Sequence, residues 1–279
     1  MLKHIIVPTD GSDNSLTAAD YAVSIAKTND GSVHGLFVKD IKILAGPLIH
    51  DIGTSIGGMV PYGTFNQTVR EMLDSKADAA LNQVEGKCIQ AGVPFTREIQ
   101  EGIVNHEIVK SSANYDLIVM GKMGAHAEWQ DVFLGSNVEF VVRKTHKPVL
   151  ITPAGFKSFC NMLIAYDGSL FADKALAVGA EMAQLMKLNI TLLCVDDTRE
   201  KALQILSKAK AFLDGLNLTP NIVPIEGKDH AKGIQDACKD NCDLLVMGAY
   251  GHSKLQEMIL GSTTTRVMRH TDCPLLLYR

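Results

Sequence analysis

Val7-Pro8-Thr9-Asp10-Gly11-Ser12 closes a short apolar run that begins at Leu2, and the chain returns to it at Ala165-Tyr166-Asp167-Gly168-Ser169. Three further segments recur in the same order. Asp116-Leu117-Ile118-Val119-Met120-Gly121-Lys122-Met123-Gly124 comes back as Asp243-Leu244-Leu245-Val246-Met247-Gly248-Ala249-Tyr250-Gly251. Leu134-Gly135-Ser136 comes back as Leu260-Gly261-Ser262, and Lys147-Pro148-Val149-Leu150-Ile151 as Cys273-Pro274-Leu275-Leu276-Leu277. A repeat of this length is too long for a solenoid unit and suits a whole domain. The chain therefore reads as a duplicated domain, divided into 1–153 and 154–279.

Hydropathy within each half alternates between short apolar runs and stretches of helical spacing. In the first half the runs are Leu2–Val7, Ser32–Val38, Phe95–Gln100, Leu117–Met120 and Pro148–Ile151. Between them, Ser12–Thr28 sets Ala18, Ala19, Ala22, Val23, Ile25 and Ala26 on one face, and Gln67–Ala91 does so with Met72, Ala77, Ala80, Leu81 and Val84. Asn105–Ala113 and Val138–Lys144 are shorter helices, and the second half repeats the series. Strands that are apolar throughout, alternating with helices, belong to a parallel sheet covered on both faces. The expected fold is α/β, with two tandem, doubly wound, open five-stranded parallel sheets. One segment has no counterpart: Asp40 to Gly102 spans 62 positions where Asp197 to Gly227 spans 30, and the surplus lies in Lys42–Asn66. It is rich in glycine yet carries Leu44, Leu48, Ile49, Ile52, Ile56, Met59, Val60, Tyr62 and Phe65, too apolar for a solvated tail. It is expected to fold over the mouth of a pocket or the junction between halves.

Composition narrows the function classes. Of 279 residues, 46% are apolar and 21% charged, as in ordinary soluble domains. A net charge of −4 without long runs of one sign argues against a nucleic-acid surface. No apolar stretch reaches the roughly 20 residues of a membrane span, and the start of the chain has no signal-peptide pattern, so a cytoplasmic location is expected. The six cysteines form no disulfide framework and are read as reduced thiols. Cys238 and Cys242, four apart on a helix with His230, His252 and His270 in the same half, make a poor zinc pattern, and incidental placement is the favoured reading.

The chemistry concentrates in Gly248-x2-Gly251-x9-Gly261-Ser262-Thr263, between a buried strand and a helix. In an open α/β sheet ligands sit beyond the carboxyl ends of the strands, where strand order reverses. Glycines admit a close backbone approach, and the free N–H groups of a helix start face an anion. That arrangement suits a polyphosphate without any lysine. Asp167, and Asp10 in the first half, follow the first strand of each repeat. Such a carboxylate can accept hydrogen bonds from ribose or a base amine; equally, Asp-Gly-Ser makes a turn in which Ser12 and Ser169 cap helices. His252 is a further candidate phosphate contact.

These motifs resemble the universal stress protein family in its tandem two-domain form, over nearly the whole chain apart from Lys42–Asn66. The resemblance implies an adenine nucleotide α-hydrolase-like fold and binding of ATP or AMP, with Mg or Mn beside the phosphates. It implies that Asp167 contacts adenosine, the Val195 backbone adenine, Gly248 and Gly251 the ribose and α-phosphate, and Gly261, Ser262 and Thr263 the outer phosphates. The matching first-half set is Asp10, Val38, Gly121, Gly124, Gly135 and Ser136. That half departs from the pattern, with ten residues rather than nine between Gly124 and Gly135, Asn137 after Ser136, and Trp129 in the lengthened loop. An added residue can shift a loop by about 3.5 Å, so the second site is the stronger expectation.

The leading function is a nucleotide-binding regulatory stress protein, the nucleotide controlling conformation or assembly, as a homodimer or a pseudo-dimer of the halves. One alternative is a slow ATP-hydrolysing enzyme, although no loop ends in Gly-Lys-Ser/Thr and no catalytic residue is assigned. The other is an interaction module with a vestigial first site.

Overall fold

The computed structural model of the protein describes residues 2–45, 62–124, 134–239, 242–250 and 260–279. In the first half the strands are β1 (His4–Pro8), β2 (Ser32–Asp40), β3 (Phe95–Gly102), β4 (Leu117–Gly121) and β5 (Val149–Thr152). The helices are α1 (Asp13–Thr28), α2 (Ile41–Ala45), α3 (Tyr62–Ala91), α4 (Val104–Ser112) and α5 (Ser136–Lys144). The second half repeats the pattern with β6 (Asn161–Ala165), α6 (Leu170–Met186), β7 (Asn189–Asp196), α7 (Arg199–Gly215) and β8 (Asn221–Glu226). It continues through α8 (His230–Lys239), β9 (Leu244–Gly248), α9 (Ser262–His270) and β10 (Leu275–Tyr278).

Within each half all pairings are parallel, and the order of the whole sheet is β3-β2-β1-β4-β5-β10-β9-β6-β7-β8. Each half is thus an open five-stranded sheet whose strand order reverses between β1 and β4, or between β6 and β9. Successive strand residues point to opposite faces, which divides the core in two. Ile5, Val7 and Leu117 face one apolar layer with α1, α3, α6 and α7. Ile6, Ile118 and Leu36 face the other with α4, α5, α8 and α9. The fully buried parallel strands are therefore apolar throughout instead of alternating.

The two sheets fuse edge to edge. β5 and β10, the last strand of each half, pair antiparallel, with Leu276 opposite Leu150 and Leu277 opposite Val149. Leu150 and Leu276 are both fully buried there, each removal from water being worth about 1.5–3 kcal/mol. Because the seam is antiparallel, the carboxyl ends of the two sets of strands lie at opposite ends of the sheet. The connection between halves packs on α1: Phe156 and Phe159 lie 4.8 and 5.3 Å from the Tyr21 ring. The Tyr21 hydroxyl accepts the Lys157 amide at 3.0 Å.

One expectation needs correction. In α3 it is Leu73, 6% exposed, that faces the core, while Met72 is 58% exposed; on a long helix with a weak apolar stripe the phase slips easily by one residue. The surplus segment is partly helical at its ends, in α2 and in α3 from Tyr62 onward; its remainder, 46–61, lies outside the described residues. No described helix is long and apolar enough to cross a membrane.

Candidate functional site

The repeated Asp-Gly-Ser is built as both a turn and a cap. Gly11 and Gly168 hold φ of +79° and +78°, a left-handed conformation that a side chain disfavours. Ser12 accepts the amide of Ser15 at 3.3 Å, and Ser169 that of Ala172 at 3.2 Å, closing the first turns of α1 and α6. Oδ1 of Asp10 accepts the Ser12 amide at 3.0 Å and its hydroxyl at 2.5 Å; Oδ1 of Asp167 accepts the Ser169 amide at 2.9 Å. The turn and cap reading is therefore realised, and it holds each carboxylate beyond the end of its strand.

Each aspartate stands in the wall of a cavity at the point where strand order reverses. The first cavity, of about 560 Å3, is lined by Asp10, Val38, Gly121, Gly124, Gly135 and Ser136, the complete first-half set expected from the sequence. The second, of about 330 Å3, is lined by Asp167, Val195, Gly248, Gly261, Ser262 and Thr263. Both volumes fall in the roughly 300–1,000 Å3 range of small-molecule sites. Gly251 and His252 lie outside the described residues, as do Trp129 and the rest of 125–133. Ser136 opens α5 as Ser262 opens α9, each directly after a glycine.

The glycines serve two different purposes. A Cβ on Gly248 would sit 2.8 Å from Ala172 N and Phe171 C, and one on Gly121 2.7 Å from Asn14 O. These two glycines let the first turns of α6 and α1 pack on the strand ends. Gly124 brings the loop after β4 onto the β1 loop, its Cβ position 2.9 Å from Asp10 Oδ2. Gly261 is otherwise. Among the described residues its Cβ would meet only Thr264 Oγ1 at 3.6 Å, and its φ of −57° suits any residue. Gly135 is similar, with Lys122 O at 3.4 Å. Among the described residues no side chain caps either helix, and the starts of α5 and α9, whose first N–H groups have no partner within the helix, line the cavities.

Several lining residues carried no signal in the sequence. In the second cavity they are Asp196, His230, Tyr250 and Thr264, whose hydroxyl donates to Ala249 O at 3.0 Å. Burial pushes the Cys194 thiol in its wall up to about 12, so that sulfur is a neutral filler. In the first cavity Lys76 and Asp40 come from the same half, but Arg269 comes from the other, through α9. Further contacts cross the seam at each of these helices. Lys122 Nζ donates to Arg269 O and Thr271 O, both at 2.9 Å, at the carboxyl end of α9. At the carboxyl end of α5, Arg143 O accepts from Arg279 Nη1 at 2.6 Å and from the Tyr250 hydroxyl at 3.4 Å. A cation there complements the negative end of the helix dipole.

Comparison with known proteins agrees with the duplicated architecture. The profile of the universal stress protein family matches residues 1–153 and again 159–279. The chain is 30% identical over 294 aligned residues to universal stress protein Slr1230 of Synechocystis sp., with both chains covered in full. It is 34% identical over 153 residues to universal stress protein MJ0531 of Methanocaldococcus jannaschii, across 54% of this chain and 82% of that one. A solved universal stress protein from Archaeoglobus fulgidus shares the fold, with a TM-score of 0.77 at 24% identity, over 100% of this chain and 99% of that one. This chain belongs to the universal stress protein family and carries the family's domain twice.

Proposed function

We propose that the protein is an adenine-nucleotide-binding regulator, with units 1–153 and 154–279, each carrying one site. The observation that supports this most is Gly261. Among the described residues neither steric room nor backbone conformation calls for glycine there, yet it lines the cavity at the start of α9. A ligand that must approach the first amides of that helix closely, such as a phosphate, supplies the missing reason.

In this reading the outer phosphates rest on Gly261, Ser262 and Thr263, the ribose lies against Asp167 and Gly248, and the adenine meets the Val195 backbone. Gly251 and His252 complete the set from the sequence pattern. Asp10, Val38, Gly121, Gly124, Gly135 and Ser136 take the same roles in the first half. The lining suits ATP or AMP: apolar Ala165, Leu193, Val195 and Ile234 together with the hydroxyls of Ser262 and Thr263 at a helix start. A magnesium or manganese ion would arrive on the phosphates, beside the hydroxyls of Ser262 and Thr263. Such ions are commonly held largely by phosphate oxygen and water.

Regulation follows from where the site helices end. Arg269 of α9 lines the first cavity, and the carboxyl ends of both α5 and α9 are held across the seam. Nucleotide that orders one helix start therefore bears on the junction between halves. Because β5 and β10 pair with each other, the two halves form a pseudo-dimer within one chain. Mass spectrometry of nucleotide released from protein purified without added ligand, followed by calorimetry with ATP and AMP, tests the proposal. Recovery of no nucleotide, together with no heat of binding for either, would refute it.

A further inference from the structure

Three of the six cysteines meet at one point, although they are far apart in the chain. Cys238 lies in the last turn of α8. Cys242 is not on that helix, which ends at Lys239, but leads into β9; Cys273 leads into β10. The three Sγ atoms all lie within 4.8 Å of one another, and Cys242 Sγ is 3.8 Å from Cys273 Sγ. Thiolates arranged tetrahedrally about an ion at about 2.3 Å stand roughly 3.8 Å apart. A disulfide would need about 2.05 Å.

We propose that Cys238, Cys242 and Cys273 form a three-thiolate site for a thiophilic d10 cation, zinc(II) or copper(I), with a further coordination position open to an external ligand. The donor set is soft, which selects such ions over magnesium or calcium. Its surroundings are apolar: all three cysteines are half-buried against the core layer that contains Leu245 and Leu275. Coordination displaces the thiol protons, so zinc with three thiolates leaves a single net negative charge. Lys122, fixed on Arg269 O and Thr271 O, is near enough to Cys273 for the two charges to interact.

The site stands at the amino ends of β9 and β10. Through the antiparallel seam, that is the end of the sheet at which the first cavity opens. A bound ion would tie α8 to the lead-ins of both strands. Among the described residues, neither His230 nor His270 joins the group.

The test uses the full chain, reduced and stripped of metal. It is titrated anaerobically with zinc against a chromophoric chelator, with copper(I) against a copper-selective one, and with cobalt(II) as a spectroscopic probe. We expect one ion per chain and thiolate-to-cobalt charge-transfer bands. The bound ion should also protect Cys238, Cys242 and Cys273 from alkylation, read by peptide mass spectrometry on the unaltered protein. Exposed Cys160 should stay reactive. Tight binding of copper(I) alone would identify copper as the occupant, and tight binding of zinc would identify zinc. Cys242→Ser and Cys273→Ser should each weaken binding roughly a hundredfold or more, since losing a ligand exceeds the ten- to hundredfold cost of an outer-shell change. Cys160→Ser should not. Failure of both zinc and copper(I) to bind more tightly than about micromolar, or alkylation of the three thiols at the same rate with and without metal, overturns the proposal.

Discussion

Replacing Gly261 by alanine adds a single methyl group where α9 meets the second cavity, and the structure separates its effect on folding from its effect on binding. Among the described residues the new Cβ meets nothing nearer than Thr264 Oγ1 at 3.6 Å, and φ −57° with ψ 144° suits alanine as well as glycine. Alanine is the poorer N-cap, but its smaller freedom in the unfolded chain offsets part of that. Stability should therefore move by no more than about 1 kcal/mol, or about 4 °C in the melting temperature. A phosphate oxygen held by the amides of Ser262 and Thr263 would touch the methyl. Losing even one charge-assisted hydrogen bond costs about 1.5–3 kcal/mol, so ATP affinity in the second half should fall at least about tenfold. Calorimetric titration fitted with two sites, beside a ligand-free melt, reads both quantities. Gly248→Ala is the contrasting control. Its Cβ would press on the α6 backbone at 2.8 Å, and it should destabilise the fold itself by about 1–3 kcal/mol. If folded Gly261→Ala binds ATP as the unaltered chain does, no phosphate lies against that glycine and the site assignment fails.

The remaining expectations concern the seam, acid stability and chemistry. Either half expressed alone should self-associate in light scattering, because β5 or β10 would present an unpaired apolar edge; halves that stay monomeric at high concentration would contradict this. Burial raises the Asp243 carboxyl, but Lys157 and the amides of Asn161 and Cys160 outweigh it and hold it below its ordinary value. Its contribution is thus complete above the unfolded value of about 3.9 and fades as pH falls through the lower folded value. Asp243→Asn should cost about 1–2 kcal/mol at pH 7 in urea unfolding, with the deficit narrowing toward pH 3; an equal deficit at both would show that charge plays no part. ATP turnover should stay below about 0.01 per second, far under the usual enzyme range. Phosphate release near one per second, abolished by Ser262→Ala, would instead establish an enzyme.

Much of this was legible in the sequence because the signals are local. An all-apolar run between glycines reads as a buried parallel strand, and Asp10-Gly11-Ser12 and its copy at Asp167 read as turn and cap, since each depends on residues only a few positions apart. The duplication and the placing of Asp167, Gly248 and Gly261 at one sheet end follow from chain order and the short reach of each connection. Other features depend on distances between residues remote in the chain, which no local pattern encodes. Pairing of β5 with β10 sets the two cavities at opposite ends of the sheet and brings Arg269 from the second half into the first cavity. Gly248 and Gly261 look alike in the motif; only packing shows that α6 demands the first and that none of the described residues demands the second. Cys242 and Cys273, 31 positions apart, come within 3.8 Å because β9 and β10 are neighbours in the sheet. The sequence by itself determined the elements and the residues at their ends; the tertiary structure decided which ends meet, because that depends on how whole sheets and helices pack.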